Sequence, residues 1–173
     1  MRSLIYFLTR IIAKVCGDEA FSCLFRRYGM KVGRNCRIYS NIMTSESYLI
    51  TVGDNVTISN NVQLITHDNS VCKLIPDKTD IFGEIHIGNN SFIGTRSIIM
   101  YGVTLPDNTI VAAGSVVTKS FKEEGIIIGG NPARQIGRYE KLKEKSLSYA
   151  INIGGMSESE KRIAIQQSKK VIR

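Results

Sequence analysis

Branched aliphatic residues recur at every sixth position along most of this chain. The members of the pattern are Val32, Ile38, Val52, Ile58, Leu64, Ile87, Ile93, Ile99, Leu105, Val111 and Val117. A period of six fits neither the 3.6-residue repeat of an α-helix nor the two-residue alternation of a half-buried strand. It is typical of a parallel β-helix, in which three six-residue units (hexads) would make one coil.

The other places of each hexad fit short strands that are separated by corners. The second place is small or tight, and the fifth is small or β-branched, which suits a stiff strand pointing inward. The fourth place is almost always Asn or Gly, the residues that adopt positive φ most readily, so each hexad is predicted to turn there. These fourth-place residues are Asn35, Asn41, Asn55, Asn61, Asn90, Gly102, Asn108 and Gly114.

The hexad pattern is interrupted twice. Residues 44–49 form the first interruption, and a longer one runs from about 67 to 84. The spacing between Leu64 and Ile87 is not divisible by six, so the chain must leave the coils and return to them. Loops that project from a regular scaffold often carry functional residues. We therefore expect the longer loop to border the functional site.

The sequence on either side of the repeat predicts helices. Residues 1–31 carry apolar residues at helical spacing and are expected to form a cap, because the first coil exposes an unpaired strand edge. The β-helix domain is predicted over residues 32–136. Residues 137–173 are expected to form a C-terminal helical extension, in which Ser157 and Glu160 fit a capping box. The predicted fold class is therefore mainly β, with helices at both ends.

Cysteine usage and hydropathy restrict the cellular compartment. The 173-residue chain has four cysteines without Cys-x-x-Cys spacing, which disfavours a disulfide framework and a zinc site. The apolar stretch Leu4–Leu8 is soon interrupted by Arg10 and Lys14, well short of a membrane span. No convincing signal-peptide cleavage site follows it. These observations predict a cytoplasmic protein.

The formal net charge of +8 arises from the two ends of the chain. Residues 1–31 and 134–173 are basic, whereas the repeat between them is slightly acidic. Solvated helix faces account for such charge, and contact with a membrane surface or an anionic ligand is the alternative. Nucleic acid is not an expected partner, because no recognised motif is present and no aromatic residues are interleaved with the basic ones.

Two histidines are the candidate catalytic groups. His67 lies where the hexad pattern breaks, and an imidazole is the best available general base near neutral pH. His86 directly precedes Ile87, so its side chain is expected to point outward. A catalytic metal is not expected, since the two histidines have different hexad phases. A serine nucleophile is discounted because the chain has no Gly-x-Ser-x-Gly turn.

These features together resemble the hexapeptide-repeat acyltransferases. The resemblance covers roughly residues 32–136 and is carried by the hexads, His67, the run 111–119 and the segment Asn131-Pro-Ala-Arg134. It is closest to the branch with galactoside and maltose acetyltransferases, streptogramin acetyltransferases and polysaccharide O-acetyltransferases. The resemblance implies a left-handed β-helix and a homotrimer, with acetyl-CoA bound in clefts between neighbouring subunits.

The resemblance also implies roles for individual residues. His67 matches the general base of the family. Two positions match those whose backbone lines the pantetheine arm of CoA, and three match groups near its phosphates, where cations are favourable. The first set is Thr95 and Ala113, and the second is Thr118, Lys119 and Arg134.

The sequence leaves one structural question and two functional alternatives open. Glu46, Asp68 and Glu84 are all candidates for the group that orients His67, and Phe92 stands where relatives often carry Trp. The predicted function is direct, acetyl-CoA-dependent O-acetylation of a sugar or a surface-polysaccharide precursor. The alternatives are N-acetylation of an amino sugar and a non-catalytic β-helix scaffold.

Overall fold

The computed structural model describes residues 19–42 and 44–171. In this part of the chain, short strands are framed by helix α1 (Glu19–Arg27) and by helices α2 (Tyr139–Leu147) and α3 (Glu158–Gln167). The strands are β1 (Lys31–Val32), β2 (Arg37–Ile38), β3 (Ile50–Val52), β4 (Thr57–Ile58), β5 (Gln63–Leu64), β6 (His67–Asp68), β7 (Ile81–Phe82), β8 (Ile85–Ile87), β9 (Phe92–Ile93), β10 (Ile98–Ile99), β11 (Thr104–Leu105), β12 (Ile110–Val111), β13 (Val116–Val117), β14 (Ile126–Gly130) and β15 (Ala133–Arg138).

Most strands belong to three parallel sheets, and successive coils add strands to each of them. The first sheet has the order β1-β3-β8-β11, the second contains β2-β4-β9-β12-β14, and the third has the order β5-β10-β13. Phe92 lies opposite Ile110, and Ile98 lies opposite Val116. One coil therefore corresponds to three hexads, as the sequence predicts. Strand β15 runs antiparallel to β14 at the end of the second sheet.

The core is a column of side chains that runs through the stacked coils. The sixth-position anchors from Ile38 to Val117 are all buried. The fifth-place residues lie beside them, and those with hydroxyl groups are satisfied: Ser97 Oγ donates to Ala112 O at 3.0 Å, and Thr109 Oγ1 donates to Pro106 O at 2.8 Å. A buried hydroxyl without a partner would destabilise the fold, so these contacts explain why Ser and Thr are tolerated in the core.

The corners adopt positive φ at most of the predicted Asn and Gly residues, with one addition. These residues are Asn35, Asn55, Asn61, Asn90, Gly102, Asn108 and Gly114. Arg96 also has a positive φ, of 59°, although it is neither Asn nor Gly. Its N–H donates to Asn60 O at 3.0 Å. Arg disfavours a positive φ, and this hydrogen bond between coils offsets part of the conformational cost.

Side chains at one row of corners join each coil to the next. Arg34 N–H donates to Asp54 Oδ1 at 2.7 Å, Asp54 N–H to Asn89 Oδ1 at 2.8 Å, and Asn89 N–H to Asp107 Oδ1 at 2.7 Å. Each carboxylate or amide oxygen thus accepts from a corner N–H that has no strand partner. The pKa of Asp54 is held below its ordinary value, mainly by its hydrogen bond from the Arg34 backbone.

The first helix packs on strands β1 and β2 of the first coil, and α2 packs against β15. In α1, Phe21 and Phe25 are buried, and the Arg26 guanidinium donates to Val32 O at 2.8 Å. Residues 1–18 of the expected N-terminal cap lie outside the described residues. The capping box predicted at Ser157 and Glu160 is confirmed at the start of α3. No helix within residues 19–42 and 44–171 is long and apolar enough to cross a lipid bilayer.

We predict that Gly94→Ala lowers the free energy of unfolding by about 1–3 kcal/mol, the usual effect of overpacking. An added Cβ would lie 2.5 Å from Ala113 N and 2.6 Å from Val111 O, both backbone atoms of the next coil. Gly137→Ala is the matched control, because the nearest atoms to its Cβ would all belong to the Ile127 side chain, at 3.4 Å or more. Denaturant unfolding of both variants tests this, and equal losses would show that coil spacing does not limit the second hexad place.

Candidate functional site

The two interruptions of the hexad pattern meet in the structure. The first forms a turn that leads through Glu46 into a single 3₁₀ turn, Ser47–Leu49. The second begins at β6 and returns at β7, which pair antiparallel with His67 opposite Phe82. Gly83 N–H donates to Thr66 O at 3.0 Å, so the chain re-enters the coils beside its point of departure. His67 is therefore anchored at the base of the projecting loop.

His67 and Glu46 form a hydrogen-bonded pair. The distance between His67 Nδ1 and Glu46 Oε2 is 3.0 Å, and the side chains are 46% and 15% exposed, respectively. An ionised carboxylate can only accept a hydrogen bond, so in the neutral imidazole Nδ1 carries the proton and Nε2 keeps its lone pair. The His67 ring also packs on Phe82, with ring centroids 5.9 Å apart. The imidazole is thus oriented and has a basic nitrogen available.

Two threonine hydroxyls surround the Glu46 carboxylate. Thr44 Oγ1 and Thr66 Oγ1 each lie 3.0 Å from Glu46 Oε2. Burial acts to raise the pKa of Glu46, but the hydrogen bonds from Thr44 and Thr66 and the charge of His67 outweigh it, and the net pKa is lowered. Glu46 is therefore ionised at neutral pH.

The structure selects Glu46 from the three candidates for orienting His67. Asp68 instead accepts from Ser70 N–H at 2.8 Å and from the Tyr101 hydroxyl at 3.4 Å. The Ser70 N–H is the main cause of a lowered pKa at Asp68. Glu84 contacts the other histidine, with 2.8 Å between His86 Nε2 and Glu84 Oε2. The His86 side chain is 43% exposed and lies in the first sheet, away from His67 in the coil.

The candidate base and the residues assigned to the acetyl donor lie along two different edges of the coils. His67, Thr118 and Lys119 follow strands of the third sheet, and we call this corner the histidine edge. Thr95 and Ala113 follow β9 and β12 of the second sheet, and we call this corner the pantetheine edge. Arg134 belongs to the pantetheine edge, because it pairs with Gly129, which follows the second-sheet residue Ile128. The six residues therefore do not share one edge of the coils.

The two cations proposed to bind phosphate are both exposed. Lys119 Nζ lies 5.9 Å from the centroid of the Phe121 ring, and Arg134 Nη1 donates to Ala133 O at 3.4 Å. Neither side chain has a carboxylate at ion-pair distance within residues 19–42 and 44–171. These cations are suited to an anionic ligand, since none of their charge is neutralised by a described neighbour.

Sequence reasoning did not single out Thr44 and Thr66. Their positions offered a signal, since Thr44 opens the first interruption and Thr66 directly precedes His67. The contact between them depends on the meeting of two segments that are far apart in sequence. In the described part of the chain, no group of three or more His, Cys, Asp or Glu side chains is arranged to hold a metal ion.

Comparisons with known proteins identify relatives in one enzyme family. The family model "Hexapeptide repeat of succinyl-transferase" matches residues 84–119. Protein CapG of Staphylococcus aureus is 44% identical over 144 residues, which is 80% of this chain and 83% of CapG. Galactoside O-acetyltransferase of Escherichia coli K12 is 36% identical over 106 residues, covering 61% of this chain and 52% of the relative. The chain thus spans about half the length of that enzyme.

Two solved structures with sequence similarity share the fold. A maltose O-acetyltransferase from Clostridium difficile 630 superposes with a TM-score of 0.59 and 28% identity, covering 79% of this chain and 85% of that one. A galactoside acetyltransferase in complex with coenzyme A superposes with a TM-score of 0.58 and 26% identity, covering 79% and 77%, respectively.

We predict that Glu46→Gln destabilises the protein at neutral pH and that the difference from wild type shrinks on acidification. The folded-state pKa of Glu46 is lowered from 4.5, so its ionised form stabilises the fold above that value. This contribution is lost as pH falls through the folded pKa. Urea unfolding of both proteins between pH 7 and pH 3 measures the difference. A difference that stays constant over this range would contradict the assignment of an ionised, hydrogen-bonded Glu46.

Proposed function

The chain belongs to the hexapeptide-repeat acetyltransferase superfamily, and from this membership we propose that it carries out acetyl-CoA-dependent O-acetylation. The proposed acceptor is a hydroxyl of a sugar or of a surface-polysaccharide precursor. The oriented Glu46–His67 pair at the base of the projecting loop is the observation that carries this proposal. The named activities of the galactoside and maltose O-acetyltransferases support the choice of a sugar hydroxyl.

In the proposed reaction, His67 is the general base. Nε2 takes the proton of the acceptor hydroxyl while the oxygen forms a bond to the thioester carbonyl carbon. The carbon–sulfur bond then breaks, the CoA thiolate takes the proton back from Nε2, and CoA leaves as the thiol without an acyl-enzyme. Glu46 stabilises the imidazolium that forms and keeps Nδ1 protonated. Acetyl-CoA, a substrate here, supplies the activated acetyl group, and a positioned base of this kind typically contributes about 10²–10⁴-fold in rate.

The two separate edges support a site that is shared between subunits. We propose a homotrimer of left-handed β-helices in which the histidine edge of one subunit faces the pantetheine edge of its neighbour. The backbone at Thr95 and Ala113 would line the pantetheine arm. The side chains proposed to lie near the CoA phosphates are those of Thr118, Lys119 and Arg134. A head-to-tail interface that closes after three subunits is the symmetry that this arrangement requires.

The proposal extends to the organisation and location of the chain. Residues 1–31 would cap the coils, residues 32–136 would form the acetyltransferase domain, and residues 137–173 would form an extension. The cysteine composition supports a cytoplasmic location. The basic ends are proposed as the surface that would meet a membrane peripherally, if the acceptor is held there.

We predict that His67→Ala lowers kcat by about 10²–10⁴-fold while the Kd for acetyl-CoA stays nearly unchanged. A general base acts in the transition state, so its loss affects the chemical step and not donor binding. His86→Ala is the matched control and should change neither quantity, because His86 contacts Glu84 on another face. More than about a tenth of wild-type turnover in His67→Ala would contradict the role of base.

Product analysis in the same assay distinguishes the classes of function. An ester product is cleaved by mild alkali, whereas an amide product survives and would establish amino-sugar N-acetylation instead. Absence of acetyl-CoA binding, measured by thermal shift, would favour the scaffold alternative and contradict the proposed activity.

We predict that two inactive variants restore activity when their subunits are mixed. His67→Ala removes the base from the histidine edge, and Ala113→Trp blocks the pantetheine edge at an exposed residue. If each site combines edges from two subunits, random mixing in equal amounts leaves about one site in four intact. Activity of the refolded mixture is compared with that of each variant alone, with the oligomeric state of each checked by sedimentation. A mixture as inactive as its components would show that each site lies within one subunit.

A further inference from the structure

Two threonine hydroxyls connect the two interruptions of the hexad pattern next to the candidate base His67. Thr44 Oγ1 and Thr66 Oγ1 lie 2.7 Å from each other, and each lies 3.0 Å from Glu46 Oε2. Thr66 is 1% exposed, and Thr44 is partly buried. The same carboxylate oxygen lies 3.0 Å from His67 Nδ1, to which it is hydrogen-bonded. The hydroxyls therefore contact the same carboxylate oxygen as the imidazole.

The hydrogens available to this cluster favour an ionised carboxylate. The two hydroxyls supply two hydrogens for three short contacts, and Thr44 Oγ1 also accepts from Glu46 N–H at 3.3 Å. Both hydroxyls are therefore placed to donate to Glu46 or to each other. A protonated carboxyl would add a further hydrogen to a group that already faces donors on Thr44, Thr66 and His67. The arrangement is satisfied only when Glu46 acts as an acceptor.

The surrounding charges do not account for the position of Glu46. Among the described residues, a protonated His67 is the charged group that acts on Glu46. Asp68, on β6, has its oxygens occupied by Ser70 N–H and the Tyr101 hydroxyl. The other side chains that contact the Glu46 carboxylate are the neutral Thr44 and Thr66.

We propose that Thr44 and Thr66 are positioning residues for acetyl transfer. Their hydroxyls hold the Glu46 carboxylate against Nδ1 of His67, which fixes the imidazole ring so that Nε2 is available to the acceptor hydroxyl. The inference rests on the proposed function of His67 as general base. The two interruptions thus share one chain of hydrogen bonds from hydroxyl to carboxylate to imidazole. In this chain the threonines act through Glu46 and do not touch the substrate.

Replacement of each threonine by valine tests this proposal, because valine keeps the shape and removes the hydroxyl. Thr44→Val and Thr66→Val should each lower kcat by about ten-fold, the ratio that one hydrogen bond to a charged group represents. The Kd for acetyl-CoA should not change. Thr44→Ser and Thr66→Ser keep the hydroxyl and should retain most of the wild-type kcat.

A measurement on Glu46 itself separates this role from a merely structural one. The ¹³C resonance of the Glu46 carboxyl, followed against pH, should titrate at a higher pH in the valine variants, because donors to the ionised form are lost. Thr109→Val is the matched control: Thr109 is also buried and donates to Pro106 O at 2.8 Å, in another part of the coils. It should leave both the Glu46 titration and kcat unchanged.

The results distinguish failure of this inference from failure of the proposed function. Folded valine variants with wild-type kcat, in a protein that His67→Ala inactivates, would overturn the role of the threonines alone. Serine variants as impaired as the valine variants would also overturn it, since the methyl packing would then be responsible. An active His67→Ala variant would instead overturn the proposed function. If Thr66→Val does not fold, Thr44→Val and Thr44→Ser are measured instead, since Thr44 is only partly buried, and the same results support or overturn the proposal.

Discussion

Hydrogen bonding between successive coils is the constraint on which the structure depends. Strands of two or three residues are too short to be stable alone, so each relies on the coil above and below it. Gly53 N donates to Ile87 O at 2.8 Å, and Gly88 N to Leu105 O at 2.9 Å, so the backbones meet closely at the start of each corner. This spacing leaves no room for a Cβ at Gly94 unless the neighbouring coil shifts. The six-residue period in the sequence follows from this stacking, because equivalent positions of successive coils must match.

The same constraint explains where the candidate site lies. An insertion that is not a multiple of six cannot stay within the coils, so it must leave and return at a corner. The insertion at 44–49 and the one that begins at His67 leave from neighbouring coils and come into contact. Glu46 and His67 are thereby held by the rigid stack, although both lie outside the regular coils. A regular scaffold thus supplies the precision that a general base requires.

The sequence predicts the coils better than it predicts the site. The period of six, the buried anchors such as Ile93 and the corners such as Asn90 all follow from local residue preferences and repetition. The positive φ of Arg96 does not follow from residue preference, because Arg disfavours that conformation; Arg96 occupies a corner position in the stack. The choice of Glu46 over Asp68 or Glu84 also could not be made, since it depends on how two insertions distant in sequence pack together. The separation of Lys119 from Thr95 on two edges likewise becomes visible only in the sheet topology.

The tautomers of the two histidines test the central claim most directly. In protein labelled with ¹⁵N-histidine, NMR at neutral pH distinguishes a protonated ring nitrogen from an unprotonated one. The account predicts that neutral His67 carries its proton on Nδ1, donated to Glu46, and that neutral His86 carries its proton on Nε2, donated to Glu84. Glu46→Gln should remove the preference at His67 and leave His86 unchanged. A wild-type His67 with its proton on Nε2 would contradict the claim that the two interruptions meet to orient a base.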